Sequence, residues 1–233
     1  MKKYGYLNFI KIIIFEGLNF KFDKNYEYKV EKPFLITSEP YVPCFYYALW
    51  DIKNRINLTK KIFIDFGSGK GRVLEYFSNN TKEIIGIEIN DKYMKYMSEN
   101  LINKIFWKDA YDESFVESII DKYIGKELVI FFYHPFEERR INEIIYKFIC
   151  RIDDLFIVLV GEIDLNSQNK KLCFNIYKNG HLTKIFSTKK KEDKKLTQTS
   201  KTYYEEPKQE IWKITKTYYE ISTKKFPKDL IFC

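Results

Sequence analysis

An acidic residue at the end of an apolar run, followed by glycines at three alternate positions, stands out in Ile62-Phe63-Ile64-Asp65-Phe66-Gly67-Ser68-Gly69-Lys70-Gly71-Arg72. Glycine admits positive φ and lets a ligand approach the backbone with no Cβ in the way, so this loop is suited to touching a ligand. A dinucleotide fingerprint needs one more glycine at position 72, where the helix start faces a pyrophosphate, and the chain has Arg72 there. A phosphate-cradling P-loop needs a terminal Gly-Lys-Ser/Thr, which is absent. The pattern Asp-x-Gly-x-Gly-x-Gly fits a ligand with an amino acid end: Asp65 is suited to an ammonium group, and the Gly67–Gly71 backbone leaves space beside a thioether or sulfonium.

Two further acids follow in order. Glu88 ends the run Ile84-Ile85-Gly86-Ile87-Glu88, where a carboxylate can accept both hydroxyls of a ribose. Asp109-Ala110 follows the next strand-like run, and a carboxylate there can take an exocyclic amine of adenine. A strand-end acid alone is commonly a helix cap or a surface charge. Three at successive strand ends match amine, ribose and adenine.

These residues need a scaffold that brings strand ends together. From Lys61 onward, short β-branched or aromatic runs alternate with helix-like segments, the pattern of βαβ units and a parallel sheet. Strands are expected at Ile62–Phe66, Ile84–Glu88, Lys104–Trp107, Glu127–Tyr133 and Leu155–Gly161. The unbroken apolar Leu128–Phe132 reads as a central strand covered on both faces. Met94, Met97 and Leu101 form one apolar helix stripe, and Ile141, Ile144, Ile145 and Phe148 another. Upstream, Ser38-Glu39-Pro40-Tyr41-Val42-Pro43 favours extended backbone before a helix over Phe45–Ile56. Downstream, a helix is expected over Leu165–Tyr177, a turn at Asn179-Gly180, and strands at His181–Thr188 and Ile211–Thr215. Residues 1–60 read as an N-terminal cap and substrate-side segment, 61–216 as the main domain, and 217–233 as a C-terminal tail. Lys184–Lys201, with seven lysines and two acids, reads as a solvated basic loop.

Composition narrows the class. With 45% hydrophobic residues in 233, the chain is long enough to carry its own core, which excludes collagen-like, coiled-coil and disordered descriptions. The net charge of +8 permits nucleic acid as a partner without indicating it. Cys44, Cys150, Cys173 and Cys233 form no C-x-x-C pair and have no histidine at ligand spacing, so reduced, buried thiols are expected and no metal. The early run Phe9–Phe15 is interrupted by Lys11 and is too short for a membrane span, so a cytoplasmic protein with no membrane partner is expected.

On these motifs the sequence resembles the class I S-adenosylmethionine-dependent methyltransferases over roughly Ser38 to Gly161. Asp65–Arg72 looks like the family's first motif, Glu88 its second, Asp109 its third and Phe132-Tyr133-His134-Pro135-Phe136 its fourth. The Asp-Phe-Gly-Ser-Gly-Lys-Gly-Arg form after Tyr41-Val42-Pro43 is most similar to little-characterised bacterial members, and more distantly to lysine methyltransferases acting on the nucleosome core. The resemblance implies a Rossmann-like α/β fold with a seven-stranded, mostly parallel sheet, a C-terminal antiparallel hairpin, and helices on both faces. It implies S-adenosyl-L-methionine as cofactor, held by Asp65, Gly67, Ser68, Gly69, Gly71, Glu88, Ile89, Asp109, Ala110 and Tyr133. Tyr133 and His134 are the catalytic candidates, with Tyr41, Pro43 and Phe136 on the substrate side. Related members carry Asn where this chain has His134. An imidazole there suits a general base for a hydroxyl acceptor, or else a structural strand-end histidine. Tyr133 and Phe136 would wall the sulfonium and acceptor.

The acceptor stays open: a small-molecule or sugar hydroxyl is favoured over a protein lysine or terminal amine, and nucleic acid comes third, supported only by Lys184–Lys201. A cofactor-binding partner subunit without catalysis is a further reading. A nicotinamide oxidoreductase is disfavoured by Arg72. Oligomeric state is not legible in the sequence.

Overall fold

The computed structural model describes residues 10–11, 14–16, 42–161, 163, 165, 174–179 and 183–188. Seven strands form one sheet: β1 (Ile62–Phe66), β2 (Glu83–Glu88), β3 (Ile105–Trp107), β4 (Glu127–Phe132), β5 (Asp154–Val160), β6 (Phe174–Asn179) and β7 (Thr183–Ser187). Their spatial order is β3-β2-β1-β4-β5-β7-β6. The first five are parallel, while β7 pairs antiparallel with both β5 and β6. The architecture is therefore the expected Rossmann-like, mostly parallel sheet of seven strands with a C-terminal antiparallel hairpin.

Every residue of β1 is buried, as a strand covered on both faces requires. Strand alternation divides the core accordingly. Ile62, Ile64 and Phe66, with Leu128, Ile130 and Phe132, pack under α4 (Glu113–Tyr123) and α5 (Glu138–Arg151). Phe63, Val129 and Phe131 pack on the opposite face under α1 (Tyr46–Arg55) and α2 (Arg72–Phe77). Phe66 stacks on Phe132 with centroids 4.9 Å apart, joining the two central strands at their C-terminal ends. Burying such a ring is worth about 1.5–3 kcal/mol. The α5 stripe Ile141, Ile144, Ile145 and Phe148 is buried as its spacing predicts.

Two helices are secured by polar groups. Asp112 caps α4 by accepting from Phe115 N at 3.1 Å. The cap of α1 comes from far upstream, where Glu16 Oε1 accepts from Tyr46 N at 2.6 Å. The same carboxylate's Oε2 accepts from Arg72 Nη1 at 3.0 Å, and both side chains are buried. Arg72 also donates to Cys44 O at 3.0 Å, and its guanidinium lies 4.6 Å from the Tyr46 ring centroid.

Several expectations are corrected. The stripe Met94, Met97, Leu101 is not one helix: a 3₁₀ turn over Asp91–Tyr96 ends at Met97, extended Ser98 follows, and a one-turn α3 (Glu99–Ile102) carries Leu101. Leu101 is buried but Met94 is exposed. The end of the expected Leu165–Tyr177 helix is strand β6, so Phe174–Asn179 supplies the outer hairpin strand ahead of Thr183–Ser187. Ile211–Thr215 lies outside the described residues. Lys184 is no part of a solvated loop: it sits in β7, buried, its Nζ donating to Ile163 O at 2.8 Å. Residues 189–201 are outside the described set. Cys44 is buried as expected, whereas Cys150 is exposed. Among the described residues, no helix is long and apolar enough to cross a membrane.

Candidate functional site

Asp65 shares the sheet face of Phe63, and the β1–β2 register sets it opposite Gly86, two residues before Glu88. Both carboxylates consequently point to the α1–α2 side at the C-terminal ends of neighbouring strands. A cleft with a cavity volume of about 100 Å³, partly open to solvent, begins there. It is lined by Pro43, Asp65, Gly67, Ser68, Gly69, Glu88, Ile89, Asp109, Ala110, Tyr133, His134 and Phe136, which the sequence had singled out. Gly71 does not line it. With φ +83° it makes the turn into α2. Tyr41 lies outside the described residues.

The walls approach closely. Gly67 has φ +77°, and a Cβ there would lie 2.2 Å from Pro135 Cβ, so only glycine lets the loop after β1 pass against the loop after β4. Gly67 N and Ser68 N donate to Ile87 O at 2.8 and 3.1 Å, tying that loop to β2. Ser68 Oγ is turned toward the backbone of β2, since a Cβ on Gly86 would lie 2.7 Å from it.

Glu88 is held by backbone amides. Oε1 accepts from Ile89 N at 3.0 Å and Asn90 N at 2.9 Å, and Oε2 accepts from Gly69 N at 2.7 Å. Of about four acceptor positions on a carboxylate, three are filled and one remains on Oε2. Burial raises its pKa, and the three amides work against that rise. Asp65 is fully buried, and its Oδ2 has no hydrogen-bond partner among the described residues. Burial first, and then the charge of Glu88, push its pKa well above the ordinary carboxylate range. Asp109 Oδ1 accepts from Tyr111 N at 2.8 Å.

His134 is the one non-glycine residue with positive φ among those described, at +43°. Its exposed imidazole packs on Gly161 at the end of β5: a Cβ on Gly161, itself at φ +89°, would lie 2.2 Å from Nε2. Tyr133 is half-buried, its ring 6.5 Å from Phe45 and 5.9 Å from His134.

The cleft includes residues that motif reading passed over. Cys44 reaches it from the segment before α1, its thiol pKa raised by burial. Tyr111 packs edge-on to Phe136 at 5.7 Å and donates to Glu137 Oε1 at 3.1 Å; burial and that carboxylate push its pKa up to about 12. A tyrosine directly after Asp109-Ala110 was the available signal.

The donor set decides what can enter. Two nearly adjacent buried carboxylates, one with an unpartnered oxygen, oppose a diphosphate and favour a ligand presenting an ammonium and hydroxyls. The cleft thus fits the residues expected to hold S-adenosylmethionine.

No protein-family model matches the chain, and no curated protein is significantly similar to it. Among solved structures, it is similar to a precorrin-6y C5,15-methyltransferase from Geobacter metallireducens (16% identity, 71% of this chain and 94% of that one, TM-score 0.41). It is also similar to a SAM-dependent methyltransferase from Archaeoglobus fulgidus (20% identity, 48% of each chain, TM-score 0.37), so it spans about half of that protein. A third is a ribosomal protein L11 methylase from Lactobacillus delbrueckii subsp. bulgaricus (12% identity, 62% of this chain and 77% of that one, TM-score 0.41). Such distant likenesses do not extend to activity.

Proposed function

We propose that the chain is an S-adenosylmethionine-dependent methyltransferase acting on an oxygen or nitrogen nucleophile. The observation that carries the reading is the buried Asp65–Glu88 pair in one cleft, in which Asp65 Oδ2 has no hydrogen-bond partner among the described residues. When bound, S-adenosylmethionine supplies a methyl group activated by its sulfonium. Asp65 holds the ammonium end. Glu88 would hold the ribose hydroxyls. Asp109 and Ala110 take the base, while Ser68 and Ile89 shape the floor. Tyr133 and Phe136 wall the reacting end, with Pro43 on the acceptor side. Alignment of the two reactants is the main task, so few further groups are needed. His134 takes the proton from a hydroxyl acceptor, which favours a small-molecule or sugar hydroxyl over a protein amine or nucleic acid.

Titration calorimetry with S-adenosylmethionine, S-adenosylhomocysteine and NADH tests this. Binding of the first two without NADH is expected, followed by transfer of labelled methyl into the small-molecule fraction of a cell extract. NADH binding, or no binding of either adenosyl ligand, overturns the proposal. Label in the protein or nucleic-acid fraction moves the acceptor.

A further inference from the structure

Arg140 lies in the first turn of α5, beside Arg139, where a charged helix face ordinarily meets water. The structure separates the two: the Arg139 side chain is 83% exposed and that of Arg140 only 3%. Arg140 Nε and Nη2 both donate to Ala110 O, at 3.2 and 2.8 Å. Nη1 donates to Glu113 Oε1 at 2.8 Å and Glu143 Oε2 at 3.3 Å, and the guanidinium carbon lies 5.3 Å from the Tyr111 ring centroid. Joining α4 to α5 does not require this burial, because Lys147 and Arg151 already bridge Glu113, Glu117 and Asp121 at the surface. What Arg140 adds is a hold on the Ala110 carbonyl, in the loop that lines the far end of the cleft and that Asp109 Oδ1 also braces through Tyr111 N.

That carbonyl matters chemically. Once it receives two charge-assisted bonds, Ala110 O is taken up, and Asp109 is left as the acceptor offered to a base. An acceptor there favours a base edge that carries an amino donor and opposes one that carries a carbonyl.

We propose that Arg140 is a positioning residue that sets base selectivity, holding Asp109-Ala110-Tyr111 so that the cleft distinguishes a 6-amino purine from a 6-oxo purine. The proposal rests on the reading of the cleft as an adenosyl site. The test is calorimetric affinity for S-adenosylhomocysteine and S-inosylhomocysteine in the wild type, Arg140→Met and Arg140→Lys, with thermal melting of each. The wild type is expected to prefer the adenosine ligand by roughly 100-fold, since a site built for a donor rejects the analogue lacking it. Arg140→Met should lose roughly 10-fold in adenosine-ligand affinity and hold its inosine-ligand affinity, so that the preference falls to roughly 10-fold. Arg140→Lys, with one ammonium in place of a fork, should fall between. A fall by the same factor for both ligands, or an unchanged ratio, marks a merely structural arginine and overturns the proposal. Should Arg140→Met fail to fold, the ratio in Arg140→Lys decides alone. A wild type that binds neither ligand instead overturns the adenosyl reading, and this proposal with it.

Discussion

Asp65→Asn should make the ligand-free protein more stable and the site useless. In the wild type a fully buried carboxyl, one oxygen of which has no hydrogen-bond partner among the described residues, faces the charge of Glu88. The amide carries no charge, so it escapes the cost of burying an ionised carboxylate beside Glu88, and Asp65→Asn should gain about 2 kcal/mol at pH 7.5. For a domain of this size that raises Tm by about 4–8 °C. The pH dependence has a definite sign. Because the folded-state pKa lies above the ordinary 3.8, the folded protein binds the proton more tightly than the unfolded chain. Wild-type stability therefore falls as pH rises from near that value through the folded pKa, and the advantage of Asn shrinks as pH is lowered. Against the ligand the sign reverses, since the ammonium loses its charged partner and S-adenosylhomocysteine should bind about 10- to 100-fold more weakly. Scanning calorimetry at pH 5 and 7.5 and ligand titration measure both. An Asp65→Asn protein that melts below the wild type, or binds the ligand equally well, refutes the reasoning.

Glu88→Ala should cost about 2–4 kcal/mol of S-adenosylmethionine affinity and, because three amides lose their acceptor, should also lower Tm, both measurable on one sample by titration and melting. His134→Asn keeps a residue tolerant of positive φ, so its fold and cofactor affinity should survive while turnover drops roughly 10²- to 10⁴-fold and loses any pH dependence due to the imidazole; wild-type turnover in this variant assigns His134 a structural role. Gly161→Ala should disturb turnover through His134, whose ring it must displace, and leave S-adenosylhomocysteine binding intact. Gly67→Ala places a Cβ 2.2 Å from Pro135 at positive φ and should lower stability by about 1–3 kcal/mol in denaturant titrations.

The sheet's centre and the acidic strand ends were legible because both depend on local pattern. Leu128–Phe132 is apolar throughout since both of its faces are covered, and the glycine spacing after Asp65 reflects the turn it makes. Contacts between distant strand ends were not legible. Gly161 is a glycine because His134 lies over it, twenty-seven residues earlier, and no local period records that. Charge misled twice. Lys184 opens a lysine-rich stretch and Arg140 follows another arginine, yet each is buried on a backbone carbonyl of a neighbouring loop, Ile163 O and Ala110 O. Composition treats every cation as solvated, whereas burial depends on where the acceptor sits. The helix expected over Leu165–Tyr177 gave way to strand at Phe174–Asn179, because antiparallel pairing with β7 decided the outcome there.

The cap on α1 has a kinetic meaning. Glu16 reaches Tyr46 N across thirty residues and Arg72 across fifty-six, so that helix end cannot be completed by local chain search. Closing loops of that length costs chain entropy that contacts made elsewhere in the fold must offset. During synthesis Glu16 emerges well before either partner and has to wait for both. The segment behind the cleft thus depends on a residue translated well before those it joins.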